Sequence, residues 1–302
     1  MKDWIDFGMV RDFTAENTAA YRLCTKPGGW AERYGGDALV SYESEATREE
    51  ILHELKEWSL LGDQSLERIF GRYLPKQNAE RNPPVLLSGA TEMPLQATVF
   101  ERGIRYGLDF EAGYSTGLFL DQRENRQFVR RNAPRRMLNC FAYTCSFSVV
   151  AALVGAETLS VDLSKKSLQR GRDNFLLNRI ATDQHRFLAD DVLSVLPRLA
   201  RRGERFDAII LDPPTFSRSK TGRAWQVEHD FEKLLLAALE VAARDAKILL
   251  STNCTRLNER ALEVMGRFCL KATRRAGSFR ATPSLPDFPP GVAARSIWLI
   301  LR

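Results

Sequence analysis

The sequence predicts an α/β fold in which a doubly wound, mostly parallel seven-stranded sheet follows a small N-terminal α+β domain. Three observations carry this expectation. From Met137 onward, short apolar runs alternate with segments of helical spacing. Those runs are rich in Ile, Leu and Val, as strands buried on both faces must be. The last two runs, 276–280 and 296–301, bracket a Pro-rich loop, 283–290, as a closing antiparallel pair would.

The 302 residues, 44% of them hydrophobic, suffice for one full α/β core. They leave about a hundred residues for a second unit. We place the boundary between a small domain, 1–115, and a sheet domain, 116–302. In the first, 19–23 and 38–42 read as strands, with Gly28-Gly29 and Gly35-Gly36 as turns. Residues 44–61 read as a helix, with Ile51, Leu52, Leu55 and Trp58 at helical spacing. Thr47 is its preferred N-cap over Ser44, because Glu50 three residues later completes a capping box. A polar connection, 77–84, follows, and then a hairpin over 98–110 around Gly103. In the second domain the strands fall at 137–141, 158–161, 185–188, 206–211 and 246–251 before the closing pair. The intervening helices cover 149–154, 164–178, 192–202, 231–243 and 258–272. No internal repeat or low-complexity tract is visible.

A formal charge of +6 and a pI near 9.1 suit an anionic partner. Basic residues cluster twice: Arg126, Arg130, Arg131, Arg135 and Arg136 precede the first sheet strand, and Arg198, Arg201, Arg202, Arg205, Arg218, Lys220 and Arg223 surround the loop after the fourth. Solvated helix faces give the same pattern. Cys24, Cys140, Cys145, Cys254 and Cys269 are odd in number, without CxxC pairs or neighbouring histidines, so they read as free thiols. No metal site is expected. Without an eighteen-residue apolar run or a basic leader ahead of an apolar one, a cytoplasmic protein with no membrane association is expected.

In doubly wound sheets ligands bind beyond the carboxyl ends of the strands, so the residues after each strand carry the functional signal. After the first comes Phe141-Ala142-Tyr143-Thr144-Cys145-Ser146-Phe147-Ser148, a turn of small residues opening a helix, where backbone N–H groups can meet a cofactor. It lacks the glycines of a dinucleotide fingerprint, and an ordinary strand-to-helix turn reads the same way. After the second comes Asp162, placed to accept from two ribose hydroxyls or to cap the next helix. After the third, Asp190 or Asp191 can accept from an adenine amino group or serve as a cap. The fourth signal is the sharpest: Asp212-Pro213-Pro214-Thr215-Phe216 follows a very apolar strand. Two prolines fix φ and remove two N–H donors, which stiffens the loop and leaves its carbonyls free to face a substrate. Phe216 is available to stack on a base. A structural turn has no need of an acid, two prolines and an aromatic in this order.

Five ordered segments, TGLFLDQRENR (116–126), LNCFAYTCSFSVVAA (138–152), VDLSKKSL (161–168), NFLLN (174–178) and LDPPTFSRSK (211–220), resemble the bacterial large-subunit ribosomal RNA methyltransferases that modify 23S RNA at cytosine C5 or guanine N7. The likeness covers most of 98–302, and Ala19-Tyr21-Arg22 with 32–36 is similar to the small β-rich domain that precedes the catalytic one in this family. The RNA-binding module that some members carry ahead of it is not expected here. The resemblance implies a class I, Rossmann-like methyltransferase using S-adenosyl-L-methionine, with 23S rRNA or a pre-ribosomal particle as partner and a monomer or homodimer as the working form. It further implies that Phe141, Ala142, Tyr143, Thr144 and Ser146 wrap the methionine part of the cofactor. Asp162 and Leu163 would hold the ribose, and Asp190 and Asp191 would lie by the adenine. Gln122, Arg123 and Arg126 would close over the cofactor side of the pocket. Asp212, which also borders the cofactor, would face the target base with Pro213, Pro214 and Phe216. One departure stands out: relatives usually have glycine where this chain has Cys145, and a position that needs φ > 0 would tolerate cysteine poorly.

The target base stays open between two chemistries. Cytosine C5 becomes nucleophilic only after a thiolate adds at C6, and Cys254 occupies the place where the cytosine enzymes of this family have their nucleophile. A structural cysteine is the competing reading, because no neighbouring base or lysine is evident. Guanine N7 is already nucleophilic and needs only positioning; the loop 215–220 with Val227 and Asp230 resembles those members more. Cys140 and Cys269 read as core residues. An alternative of another class is a catalytically degenerate methyltransferase fold that binds RNA or a partner without turnover.

Overall fold

In the computed structural model, which describes residues 3–75, 81–218 and 224–302, the chain divides after Leu120 rather than after Ser115, and Leu285–Pro289 returns to the first unit. That return is held by Asp287, whose Oδ2 accepts from the Arg22 N–H at 2.9 Å, and by Phe288, which lies 4.3 Å beneath the Arg22 guanidinium. The Pro-rich loop therefore does not belong wholly to the sheet domain.

The first unit holds α1 (Phe7–Ala15), β1 (Ala20–Lys26), β2 (Gly29–Tyr34), β3 (Asp37–Tyr42), α2 (Glu45–Leu61), β4 (Arg68–Tyr73), β5 (Val85–Gly89), β6 (Gln96–Glu101) and β7 (Ile104–Asp109). Strands β1 to β5 form one sheet in sequence order, with α2 crossing over between the parallel pair β3 and β4. Helix α2 buries Ile51, Leu55 and Trp58, in one core cluster with Leu23, Ala38 and Val40 of the sheet. Its N-cap is Ser44, whose hydroxyl accepts from the Thr47 N–H at 3.2 Å, so the expected Thr47 cap is corrected by one turn. Strands β6 and β7 make the expected hairpin, with Gly103 between them at φ +78°.

The second unit begins with α3 (Arg123–Asn132) and continues through β8 (Arg136–Cys140), α4 (Ser146–Leu153), β9 (Glu157–Asp162), α5 (Lys165–Leu177), β10 (Arg186–Ala189), α6 (Val192–Arg201) and β11 (Phe206–Leu211). A short hairpin of β12 (Phe216–Arg218) and β13 (Ala224–Gln226) leads to α7 (Val227–Leu239), β14 (Ala242–Thr252), α8 (Glu259–Ala272), β15 (Gly277–Ala281) and β16 (Arg295–Leu301). The sheet order is β10-β9-β8-β11-β14-β16-β15: five parallel strands closed by an antiparallel pair, as the periodicity required. Leu138, Leu159, Ile209, Ile248 and Leu250 share one buried cluster with Val195 and Leu199 of α6 and with Phe231 and Leu235 of α7. Burying such side chains stabilises by about 1.5–3 kcal/mol each, which is why these strands need no polar face.

Candidate active site

Register brings the expected residues to one edge. Cys140 pairs with Val161 on one side and Leu211 on the other, and Leu211 pairs with Leu250. The next residues, Phe141, Asp162, Asp212 and Ser251, therefore lie at the same level at the carboxyl ends of four adjacent strands. From β8 the strand order runs one way to β9 and β10 and the other way to β11 and β14, and such sheets bind their ligands beside a reversal of this kind.

The turn after β8 is unusually tight. Phe141, Tyr143 and Cys145 have φ of +58°, +47° and +60°, a left-handed backbone at alternate non-glycine residues. Asp162 holds that turn: Oδ2 accepts from the Tyr143 N–H and Oδ1 from the Ser164 N–H, both at 2.8 Å. Ser164, not Asp162, caps α5 through the Ser167 N–H. A carboxylate has about four acceptor positions, so roughly two remain on Asp162 for a vicinal diol. Burial raises the Asp162 carboxyl pKa, opposed by the Ser164 and Tyr143 N–H groups. The residues present thus fit the ribose of an adenosyl cofactor.

Cys145 packs toward α5. It is the αL N-cap of α4, and its side chain seats over Gly171 of α5, where a Cβ would collide with Sγ. Burial pushes its thiol up to about 12, which makes it inert filling rather than a reactive group. Gly171 on the neighbouring helix leaves the room that this side chain takes up.

Asp212 sits partly buried beyond β11, and loss of water pushes its pKa up to about 6. The Ser251 hydroxyl and the Arg126 charge oppose that rise, and Asp121 adds to it. Gln122 Nε2 donates to Asp212 Oδ2 at 3.2 Å and to Ser251 Oγ at 2.9 Å. Gln122, Arg123 and Arg126 are at most 2% exposed and so are embedded in the fold. Pro213 is buried and Pro214 exposed. The loop's carbonyls are not all free, contrary to expectation: Trp225 Nε1 donates to the Pro214 carbonyl at 2.9 Å, and the Val227 N–H to that of Thr215 at 3.2 Å. Phe216 begins β12 by its backbone, but its side chain lies outside the described residues, as do residues 219–223 with Lys220 and Arg223.

Cys254 follows β14 and is 4% exposed, with Sγ 3.3 Å from Glu228 Oε1. Arg256 Nη1 holds the other Glu228 oxygen at 3.2 Å. Sequence reading missed Glu228 because it lies 26 residues away, at the start of α7. Asp191 caps α6 through the Leu193 N–H, while Asp190 is paired with Arg198 and accepts from the Asp191 N–H. Asp230 Oδ2 accepts from the Gln226 N–H at the start of α7. In the basic clusters Arg136 binds Glu204, and Arg205 donates to the Glu204 carbonyl, whereas Arg130 and Arg131 are exposed. All five cysteines are free and buried. No described helix is long and apolar enough to cross a membrane.

A parallel sheet with a tight turn after its first strand and an acid after its second is an arrangement that takes a nucleoside cofactor at the carboxyl ends of the strands, and here an Asp-Pro-Pro loop follows the fourth. The chain belongs to the S-adenosylmethionine-dependent methyltransferase family, whose model matches residues 62–292. It is 34% identical over 207 residues to the ribosomal RNA large subunit methyltransferase I of Aeromonas salmonicida (strain A449), covering 67% of this chain and 52% of that protein. To the protein of the same name in Aeromonas hydrophila subsp. hydrophila it is 31% identical over 294 residues, 92% of this chain and 72% of that one. The chain thus spans about half the length of the first of these relatives. The crystal structure of SMU.776 complexed with SAH superposes with a TM-score of 0.82 at 26% identity, over 98% of this chain and 79% of that one.

Proposed function

We propose that this chain transfers a methyl group from S-adenosylmethionine to a base of large-subunit ribosomal RNA, and that the base is a cytosine methylated at C5. The names of the two Aeromonas relatives support the RNA substrate, and the net charge of +6 suits it. The observation that carries the choice of base is the contact between Cys254 Sγ and Glu228 Oε1 at 3.3 Å.

S-adenosylmethionine supplies an electrophilic methyl group. The turn 141–146 would hold its methionine part, Asp162 and Leu163 its ribose, and Asp190 or Asp191 its adenine. Asp212, ionised above about pH 6, accepts from the cytosine amino group while the Pro213-Pro214 segment keeps the ring in register. Cys254 Sγ bonds to C6 as its proton passes to Glu228, which makes C5 the nucleophile for the methyl group. Loss of the C5 proton to water then expels the thiolate, which takes back the proton held by Glu228. Methylation at guanine N7 needs neither Cys254 nor Glu228, and so leaves their contact without a role. A degenerate binding module is disfavoured by Cys145, whose side chain is taken up in packing against Gly171 of α5.

Mass spectrometry of nucleosides from large-subunit RNA tests the proposal, in cells lacking the chain, complemented with it, or complemented with Cys254→Ala. One 5-methylcytosine should be missing in the first and third and restored in the second. Loss of a 7-methylguanosine instead would overturn the choice of base.

A further inference from the structure

We infer that Asn125 and Trp298 are positioning residues for Asp212, acting through a chain of hydrogen bonds whose direction the indole sets. The inference rests on the reading of Asp212 as the group that meets the base. An indole N–H can only donate, so the Asn125 atom 2.9 Å from Trp298 Nε1 must be the amide oxygen. That choice turns Asn125 Nδ2 toward Gln122, at 2.7 Å, where the facing atom must then accept and is Oε1. Gln122 is thereby left with Nε2 toward Asp212 Oδ2 and Ser251 Oγ.

The remaining hydrogens follow without conflict. Asn125 Nδ2 also donates to Ser296 Oγ at 3.1 Å, Ser296 donates to Thr282 Oγ1 at 2.9 Å, and Thr282 donates back to Asn125 Oδ1 at 2.8 Å. Hydroxyls can reverse their direction and the indole cannot, so Trp298 alone among these partners sets the polarity. An amide has two orientations of nearly the same shape, and only hydrogen-bond partners distinguish them. Here both amides are sealed from water, Asn125 at 0% and Gln122 at 2% exposed. Trp298, 1% exposed, is clamped against Phe128 with ring centres 4.1 Å apart. If Gln122 turned over, its carbonyl oxygen would face the Asp212 carboxylate in place of an N–H donor. The charged groups that also act on Asp212 are Asp121 and Arg126, and the Ser251 hydroxyl is its other neutral partner.

The experiment is a carboxyl 13C titration of Asp212 in the full chain, assigned with Asp212→Asn, for the wild type, Trp298→Phe and Asn125→Leu. Trp298→Phe keeps an aromatic ring and removes the donor together with part of the indole's volume; Asn125→Leu removes the amide without adding charge. Loss of the Gln122 donor should raise the Asp212 midpoint by about one pH unit in Asn125→Leu and by about half as much in Trp298→Phe. The acid limb of kcat/KM should move with it, while KM for S-adenosylmethionine stays near the wild-type value, which a general loss of packing would not produce. An unchanged midpoint in either folded variant overturns the inference. A shifted midpoint in a chain that transfers no methyl group to RNA would sink the proposed function and leave the relay standing.

Discussion

Gly171 leaves the space in which Cys145 sits: a Cβ on Gly171 would collide with Sγ and lie 3.0 Å from Cys145 Cβ. The two residues are 26 positions apart, on the helix α5 and at the N-cap of α4, and they act as one packing unit. Cysteine at φ +60° carries a left-handed penalty of roughly 1–2 kcal/mol, which burial of its sulfur largely offsets.

That packing predicts a coupled pair. Gly171→Ala should destabilise by about 2 kcal/mol, because the methyl group overpacks a filled site despite the better helix propensity of alanine. Cys145→Gly alone should be nearly neutral, and the double variant should recover most of the loss. Urea unfolding of the four proteins measures the coupling; strictly additive changes would show that the two side chains do not share this space.

Asp212 predicts opposite effects on stability and activity. Its folded pKa of about 6 lies above the ordinary 3.8, so the folded chain holds the proton more tightly than the unfolded one. Stability is therefore lost as pH rises from about 4 to about 6, by up to about 3 kcal/mol. Asp212→Asn removes that cost. Its melting temperature should exceed that of the wild type at pH 8 and converge with it below pH 4, and its methylation should be lost at every pH. Wild-type kcat/KM should fall as pH drops through about 6, and a flat profile from pH 5 to 8 would contradict an ionised Asp212 at the substrate.

Cys254 and Glu228 should fail together. Cys254→Ser should abolish methylation and Glu228→Gln should lower kcat by about 10²–10⁴-fold. Calorimetric affinity for S-adenosylmethionine should stay within a few-fold of wild type in both. Full activity in Cys254→Ser would remove the thiol from the chemistry.

Asp162 ties the cofactor turn to β9 through the Tyr143 N–H. Asp162→Ala removes this anchor together with the acceptor for the ribose, and should weaken S-adenosylmethionine binding by about 10–100-fold. Asp162→Asn, which keeps one acceptor, should fall between. Equal affinity in all three would place the ribose elsewhere.

The second half of the chain was readable because its strands are buried on both faces and so appear as short apolar runs, as in 206–211, where the expected and observed strands coincide and Asp207 is the one polar residue. In the first half β2 and β4 were missed because their buried faces carry charge. Glu32 meets Arg22 and Arg72, and Asp37 binds Arg68 through two contacts of 2.7 Å, so the apolar alternation that marks a strand is broken. Helix α1 was missed for its brevity, nine residues capped by Asp6. Strand β14 starts four residues earlier than expected, at Ala242, where Arg275 gathers the carbonyls of Leu239, Ala242 and Ala243. At the site, residues directly after a strand were legible. Glu228, Trp225, Ser251 and Asn125 were not, since each matters through a partner distant in sequence and no local pattern announces it.

The most direct measurement incubates the chain with S-adenosylmethionine carrying a tritiated methyl group and with large-subunit ribosomal RNA that has not been methylated by it, followed by digestion and chromatography of the nucleosides. The account predicts tritium in 5-methylcytidine, reduced with Asp162→Ala and lost with Cys254→Ser. RNA that stays unlabelled while the chain binds the donor, or label confined to protein, would contradict it.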